Sequence, residues 1–283
     1  MTSDRLPTYA ISHGGGPWPW ARESLPVDWD PLERALAAIP AEIGRSPKAI
    51  LMVTAHWEAT AFTVQMHPSP PMLYDYGGFP AHTYRISYPA PGSPEVAERA
   101  AHLLEAAGLP AARDTERGFD HGTFVPAYVM YPAAEVPIVQ LSIHAGFAPA
   151  LHLRAGRALA SLRDEDVLIV GSGLPSYHDL RSLGRGSAAP SREFDSWLTS
   201  TMIDHVGGER SGHLLDWADA PSARRAHPRE DHFIPLLVAT GAAEDEPAAL
   251  QYHAPTLFGA TTSTGYRLGT AAPSGVGAAA TRD

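Results

Sequence analysis

The sequence predicts an α/β fold in which a central mixed, largely parallel β-sheet is flanked by helices. The first observation is a set of continuous apolar runs, such as residues 49–55 and 166–170, which are typical of strands buried on both faces. The second is that segments with helical character alternate with these runs through most of the chain. Because we find neither an internal repeat nor a linker, we expect one domain.

The first half of the chain gives clear helix boundaries. Asp30, Pro31 and a glutamate at the third position form a capping-box-like helix start, and Pro40 is expected to stop that helix. Gly108 has the place of a helix C-cap. The elements predicted here are, in order, a strand at 9–12, a helix at 30–39, a strand at 49–55 and a helix at 95–107.

The second half repeats the alternation of strand and helix. The elements predicted here are a strand at 136–143, a helix at 151–162, a strand at 166–170, a helix at 192–205, and a helix from near residue 230 to residue 241. Residues 271–283 are rich in Ala, Gly and Ser without periodicity, and we expect a disordered tail there.

Composition and charge narrow the class of protein. The 283 residues carry a formal net charge of −10 at pH 7, which argues against a nucleic-acid surface, where a basic stripe would be expected. No apolar run approaches the roughly 20 residues that span a bilayer, and the first residues do not resemble a signal peptide, so we expect a cytoplasmic protein. The absence of cysteine excludes disulfides and thiolate sites. The 14 histidines are therefore the side chains to consider as metal ligands or catalytic groups.

Five histidines stand where a side chain is expected to face open space. His13, His56 and His178 follow strands, His121 lies in a glycine turn, and His232 lies near the start of the last predicted helix. Open α/β sheets place ligands outside the carboxyl ends of their strands, so His13, His56 and His178 are expected to meet in one crevice. With His232 they are expected to converge as a metal site. For the following histidines we expect structural or surface roles: His67, His82, His102, His152, His205, His213, His227 and His253.

The glycines that follow His13 match two other motifs, which the rest of the chain excludes. His-Gly-Gly-Gly forms the oxyanion hole of some α/β-hydrolases, but no serine here has the flanking glycines of a nucleophile elbow. A phosphate loop is excluded because neither Gly-Lys-Ser/Thr nor G-x-G-x-x-G is present. Bare backbone beside His13 instead favours close approach to a metal or a small substrate. A second feature, the irregular aromatic segment at residues 58–91, is typical of a binding loop.

Six motifs in a fixed order resemble a known family. They are Ile11-Ser12-His13-Gly14-Gly15-Gly16-Pro17, Thr54-Ala55-His56-Trp57, Phe119-Asp120-His121-Gly122, Leu153-Arg154-Ala155-Gly156-Arg157-Ala158-Leu159, Gly171-Ser172-Gly173 with His178, and Asp231-His232-Phe233-Ile234-Pro235-Leu236. Together they resemble the 4,5-DOPA-dioxygenase-type class III extradiol ring-cleaving dioxygenases, relatives of the protocatechuate 4,5-dioxygenase catalytic subunit. The resemblance covers about residues 9–267.

The resemblance implies a mononuclear non-haem metal, Fe(II) in active enzymes and often Zn(II) in isolated proteins. It implies His13, His56 and His232 as ligands, the third being histidine as in the DOPA-type branch. His178 matches an acid/base histidine that comes within ligand distance in zinc-loaded resting sites. His121 matches a histidine that contacts substrate or supports the site.

On this interpretation residues 1–270 form a catalytic domain that cleaves a catecholic ring with O2, as a monomer or small homo-oligomer. A histidine that titrates near neutrality suits the proton transfers. We expect Trp57, Tyr177, Tyr74 and Phe79 to wall the flat ring. Two alternatives stay open: a zinc-dependent hydrolase, since three histidines and an open position also generate hydroxide, and a metal-free binding protein on the same fold.

Overall fold

The computed structural model describes residues 5–25, 27–179 and 181–270. The strands are β1 (Thr8–Ser12), β2 (Ala49–Ala59), β3 (Phe62–Gln65), β4 (Ala111–Asp114), β5 (Ile138–His144), β6 (Val167–Gly173), β7 (Ala248–Leu257) and β8 (Thr261–Leu268). The helices are α1 (Asp30–Ile43), α2 (Pro94–Ala106), α3 (His121–Met130), α4 (Pro149–Leu159), α5 (Ala188–Asp204), α6 (Gly207–Leu215), α7 (Ala223–Ala226) and α8 (Ile234–Ala242).

Within the described residues, the strands form one sheet in the order β4-β3-β5-β2-β6-β1-β8-β7. The four central strands, β5, β2, β6 and β1, are parallel to one another. Antiparallel pairing joins β3 to β5, β8 to β1 and β7 to β8. The predicted α/β fold with a mixed, largely parallel sheet is thereby confirmed.

Side chains of β2 alternate between the two faces of this sheet. Ile50 and Met52 pack into a core with α1 and α3, whereas Leu51 and Val53 pack into a core with α2, α4, α5 and α8. All four side chains are fully buried. Because both faces are covered, β2 needs an uninterrupted apolar run in place of the alternation of a half-exposed strand.

The first helix is longer than the sequence indicates. α1 continues through Pro40 to Ile43, so the expected stop before Pro40 is wrong. Proline removes one backbone donor, but Ile39 and Ile43 on either side are buried in the core, and this tertiary packing holds the helix together. Gly44 then ends the helix with a left-handed φ of 69°.

β2 also extends beyond its predicted end, so that His56 lies inside the strand. The strand pairs with β6 only as far as Thr54, and its register with β5 shifts between Val53 and Glu58. Irregular pairing of this kind redirects side chains. His56 therefore still lies at the carboxyl edge of the central strands, just beyond the last residue that pairs with β6.

Other segments differ from the sequence expectation. His121 is the first residue of α3 and does not lie in a turn, because the Asp120 carboxylate caps the helix by accepting the Thr123 N–H at 3.1 Å. The segment at residues 58–91 is not wholly irregular: it contains β3 and a 3-10 helix at Ala81–Arg85. The hairpin of β7 and β8 was not predicted, and β4, α6 and α7 were also missed.

The remaining predicted elements are present with shifted boundaries. The helix expected at 192–205 begins at Ala188, and the one expected from near residue 230 begins at Ile234. None of the helices in the described part of the chain combines the length and apolarity needed to cross a bilayer. The tail predicted at residues 271–283 lies outside the described residues.

Candidate metal centre

Five histidines from distant parts of the chain line one cavity at the carboxyl edge of the sheet. His13 follows β1, His56 lies at the irregular end of β2, and His121 begins α3. His178 lies in the loop after β6, and His232 precedes α8. The structure thus brings together all five histidines that the sequence singled out. The topology does this because β1, β2 and β6 are adjacent, parallel strands that end at the same edge.

Three of these histidines present nitrogens to one another at the spacing of metal ligands. His13 Nε2 and His56 Nε2 are 3.3 Å apart, and one ligand nitrogen from each of His13, His56 and His232 lies within 4.8 Å of the others. Two nitrogens that bind one metal at about 2.1 Å in tetrahedral geometry are separated by about 3.4 Å. The His13–His56 pair therefore already has the separation that a shared metal ion requires.

The remaining two histidines flank this set on different sides. His178 stacks on His232, with 3.3 Å between ring centroids, whereas His121 lies against His56, with 3.9 Å between centroids. The His121 ring also meets the His13 ring edge-on at 5.3 Å. An ion held by the three-histidine set would thus have a further imidazole on either side.

Two aspartates face the Nδ1 atoms of these rings. The Asp75 carboxylate accepts hydrogen bonds from the backbone N–H of His121 at 2.9 Å and from its Nδ1 at 2.8 Å, and it lies 3.4 Å from His56 Nδ1. Asp231 lies 3.0 Å from His232 Nδ1, although without hydrogen-bond geometry. A carboxylate beside Nδ1 fixes the ring orientation and leaves Nε2 for a metal or a substrate.

Two further groups of possible metal ligands combine histidines with one of these aspartates. They are His56 with Asp75 and His121, and His178 with Asp231 and His232. Asp75 is already occupied by its two hydrogen bonds with His121, and it approaches His56 on the side away from His13. In the set of His13, His56 and His232, by contrast, the ligand nitrogens face one another and not a carboxylate. We therefore take that set as the candidate metal site and the aspartates as its supports.

A buried network behind the site fixes the backbone that carries His56 and His121. Asp120 accepts hydrogen bonds from Thr54 Oγ1 at 2.8 Å and from Arg117 at 3.0 Å, while Arg117 also donates to the His56 carbonyl at 3.1 Å. Burial raises the pKa of Asp120, and these bonds favour its charged form. The strand end at His56 and the start of α3 at His121 are thereby tied to each other.

The environment keeps the three histidines in the form that binds metals. Burial lowers the pKa of His13 and of His232 well below 6.5, and the neighbouring histidines lower it further. Burial likewise lowers the pKa of His56 to about 3. Neutral imidazole is the ligating form. In addition, His13 Nδ1 is buried without a hydrogen-bond partner among the described residues, so this polar cluster is incomplete as it stands. The residues present therefore fit a divalent metal.

The cavity above the histidines has a volume of about 330 Å³. Its walls include the backbone of Gly14, Gly15 and Gly16, and Phe79 lines it as the sequence analysis expected. A Cβ added at Gly16 would lie 2.5 Å from the Phe79 ring, and the φ of Gly16 is 53°. Glycine is needed there because any side chain would meet that ring in a strained backbone conformation.

Three other predicted substrate contacts are not among the described residues that line the cavity: Trp57, Tyr74 and Tyr177. Trp57 is buried beneath the guanidinium of Arg117, at 4.6 Å from the ring centroid. The Tyr74 hydroxyl donates to the Ile86 carbonyl, and Tyr177 belongs to the core. Tyr76, from the aromatic segment that was expected to cover the substrate, also lines the cavity. The wall residues that sequence analysis missed are Leu25, Leu174, Leu183 and Phe258.

Comparisons with known proteins give a consistent picture. A family model for the catalytic LigB subunit of aromatic ring-opening dioxygenase matches residues 27–268. The chain is 39% identical over 272 residues to the dioxygenase tasH of Hapsidospora irregularis, covering 87% of this chain and 81% of that protein. It is 39% identical over 212 residues to the 4,5-DOPA dioxygenase extradiol of Beta vulgaris, covering 74% of this chain and 78% of that protein.

A solved structure agrees at the level of the fold. The crystal structure of an uncharacterized protein from Escherichia coli K12 superimposes with a TM-score of 0.72 and 28% identity, covering 94% of this chain and 100% of that chain. The family match includes His56, His121, His178 and His232, whereas His13 precedes it, so the place of His13 in the centre rests on geometry. With most of its length matched, this chain belongs to the LigB family of aromatic ring-opening dioxygenases.

Proposed function

We propose that this protein is a class III extradiol dioxygenase, which opens a catechol ring beside its two hydroxyl groups with O2. The observation that carries the proposal is the set of three neutral histidines, His13, His56 and His232, at the base of an apolar cavity. Three protein ligands leave positions open for substrate oxygens. The relative from Beta vulgaris is named a 4,5-DOPA dioxygenase extradiol, which supports the same reaction class.

The metal proposed for the active protein is Fe(II), held by His13, His56 and His232. When bound, it supplies open coordination positions for both substrates and the redox chemistry that dioxygen requires. Zn(II) competes for the same nitrogens in the isolated protein, because imidazole binds both ions. The carboxylates of Asp75 and Asp231 would strengthen these ligands by holding their Nδ1 sides.

His178 is proposed to take the proton of one catechol hydroxyl. Its ring lines the cavity, and burial lowers its pKa below 6.5, so that it is a neutral base at pH 7. Asp231 lies 3.9 Å from its Nδ1 and would stabilise the imidazolium once the proton has been transferred. The proton would then be available for return to the ring-opened product.

His121 is proposed to bind a substrate oxygen from the other side. Its Nδ1 is held by Asp75 at 2.8 Å, which leaves Nε2 as the nitrogen for the substrate. Asp75 also accepts the backbone N–H of His121, so this ring has a fixed position at the start of α3. A preorganised group of this kind stabilises charge that develops during the reaction.

Anaerobic reconstitution with Fe(II), followed by air and a panel of catechols, tests the proposal. We expect oxygen uptake that matches catechol consumption and the yellow colour of a ring-opened semialdehyde. Protein loaded with Zn(II) is the matched control, since the same nitrogens are filled without redox chemistry, and it is expected to be inactive. Ester hydrolysis by the zinc form with no oxygen uptake by the iron form would instead support a zinc hydrolase. Retention of neither metal would support a binding protein.

A further inference from the structure

The cavity indicates which kind of catechol would bind. We infer that the natural substrate carries an uncharged, apolar substituent on its ring, in place of a carboxylate or an amino-acid group. This inference rests on the proposed function, because it concerns the part of the substrate that extends away from the metal-binding hydroxyls. It is carried by the side chains on the walls and by the hydrogen bonds that those side chains already make.

The walls of the cavity above the histidines are hydrocarbon. The lining side chains other than histidine are Leu25, Leu174, Leu183, Tyr76, Phe79 and Phe258. No Lys, Arg, Asp or Glu is found among the lining residues within the described part of the chain. Among the described lining side chains, the polar groups are thus the five histidines and the Tyr76 hydroxyl, and the other side chains offer apolar contact.

The one hydroxyl group among the described side chains of these walls already has a partner. Tyr76 donates its hydroxyl hydrogen to the Thr83 carbonyl at 2.6 Å. Its ring meets the Phe79 ring edge-on at 5.5 Å and the His121 ring at 5.8 Å. Burial raises the pKa of Tyr76 to about 12, so the phenol stays neutral. Tyr76 therefore contributes an aromatic surface next to His121.

Three of the arginines that lie near the lining residues in sequence have carboxylate partners of their own. Arg22, close to Leu25, donates to Asp30 at 2.7 Å and also pairs with Glu33. Arg117 pairs with Asp120 at 3.0 Å, and Arg229 pairs with the carboxylate of Glu58. A carboxylate on the substrate would have to compete with these acids. Without a cation it would lose its hydration against leucine and phenylalanine side chains.

The size of the cavity suits a catechol with a short chain. At about 330 Å³ it is at the lower end of the roughly 300–1,000 Å³ typical of small-molecule sites. Burial of each additional methylene group favours binding about fourfold until the walls are filled. A charged end group of the same length is expected to lower kcat/KM at least tenfold, because its desolvation is not compensated.

A series of catechols with matched lengths tests the inference on the iron-loaded protein. We expect kcat/KM, measured by oxygen uptake, to rise about fourfold per carbon from catechol through 4-methyl- and 4-ethyl- to 4-propylcatechol. 3-(3,4-Dihydroxyphenyl)propanoate, the charged counterpart of 4-propylcatechol, is expected to be at least tenfold poorer. Anaerobic calorimetry on the zinc-loaded protein gives the same comparison as dissociation constants, without turnover.

A substitution at the cavity wall gives a matched check. Leu183 is 40% exposed, so Leu183→Arg introduces a cation at the rim with little loss of packing, and Leu183→Gln is its neutral control. The Arg variant is expected to raise kcat/KM for the carboxylated substrate about threefold to fivefold relative to the Gln variant.

The inference would be overturned if kcat/KM did not rise along the 4-alkylcatechol series, or if the wild-type protein preferred the carboxylated catechol to its alkyl counterpart. Arg181 is exposed and lies two residues before Leu183 in the sequence. If the preference for the carboxylate disappears in Arg181→Gln, Arg181 forms the anion site. Failure to cleave any catechol would instead contradict the proposed function.

Discussion

His178 stacks on His232 with 3.3 Å between the ring centroids and 16° between the ring planes. One carboxylate, Asp231, faces Nδ1 of both rings, at 3.0 Å from His232 and 3.9 Å from His178. A proposed metal ligand and a proposed base therefore share the same support. Their roles remain separable, because His13, His56 and His232 form a ligand set without His178.

Replacement of His178 by alanine is expected to leave iron binding intact and to remove proton transfer. A positioned acid/base group contributes roughly 10²–10⁴-fold, so turnover should fall by that factor. Iron content per chain and oxygen uptake with a catechol are the two measurements. The pH–rate profile of the variant should also lose one limb, because a titrating group has been removed.

Tyr177→Phe is the matched control for His178→Ala. It removes the hydrogen bond between Tyr177 and Ser182, which measures 2.8 Å in the same loop, and leaves the imidazole in place. We expect it to keep most of the activity. If His178→Ala loses its iron as well as its activity, His178 is required as a metal ligand. If it keeps both, His178 has no role in the reaction.

His13→Ala and His56→Ala should each lose the metal while the fold remains. His13 follows β1 and His56 lies in the irregular part of β2, and a site that retains two nitrogens binds divalent ions poorly. Metal content by elemental analysis, together with far-UV circular dichroism, measures the two effects separately. The expected result is about one ion per chain in the wild type and a small fraction of that in either variant.

The group of His205, Glu209 and His213, in which His205 is half-buried and the other two are exposed, also brings potential ligands together, and it has to be controlled for. His205→Ala with His213→Ala removes two of these ligands without touching the cavity. This double variant should keep the same activity and about one tightly held ion. Full metal content in His13→Ala and His56→Ala, measured in the double-variant background, would contradict the assignment of the centre.

The sequence was sufficient to predict the parallel core and the convergence of the histidines. Continuous apolar runs mark β2 and β6, and in adjacent parallel strands the residues that follow such runs must lie at one edge. The orientation of Trp57, in contrast, could not be inferred from that of its sequence neighbour His56. Successive residues of an extended strand point to opposite faces, so the residue next to His56 is directed away from the cavity, towards Arg117.

Asp75 could not be identified from the sequence for a different reason. It lies within the long aromatic segment, and nothing local shows that this segment brings a carboxylate to His121, which is 46 residues further along the chain. The hairpin of β7 and β8 was missed because β7 is an edge strand with several exposed side chains, so it lacks the apolar run of a buried strand.

Asp75→Asn is expected to reduce activity more than it reduces folding stability. The asparagine still accepts the His121 backbone N–H but no longer stabilises charge on the imidazole rings, and such supports typically contribute 10–100-fold. Tyr74→Phe is the matched control, because it removes the neighbouring hydrogen bond to Ile86 and leaves the carboxylate. Equal losses of kcat in the two variants would show that Asp75 only holds the loop.

His152 gives a test of stability that is independent of the metal centre. It is fully buried, its Nδ1 donates to the Ala148 carbonyl at 2.8 Å, and its Nε2 accepts the His144 N–H at 3.0 Å. Both bonds require neutral imidazole with hydrogen on Nδ1. Burial lowers the pKa of His152 to about 4, from 6.5 in the unfolded chain. Between these values the unfolded state binds more protons, so the free energy of unfolding must fall as the pH decreases.

His152→Gln should therefore flatten the acid side of the stability profile. Because the pKa is lowered from 6.5 to about 4, the free energy of unfolding of the wild type should fall by about 3 kcal/mol between pH 7 and pH 4. The variant should lack this decrease. The variant starts from a lower free energy of unfolding at pH 7, because it loses ring packing against Phe62. Urea unfolding of chelator-treated protein at several pH values measures both effects, with His102→Gln, at an exposed position, as the control. Wild-type and variant curves that stay parallel from pH 7 to pH 4 would contradict the neutral, buried state of His152.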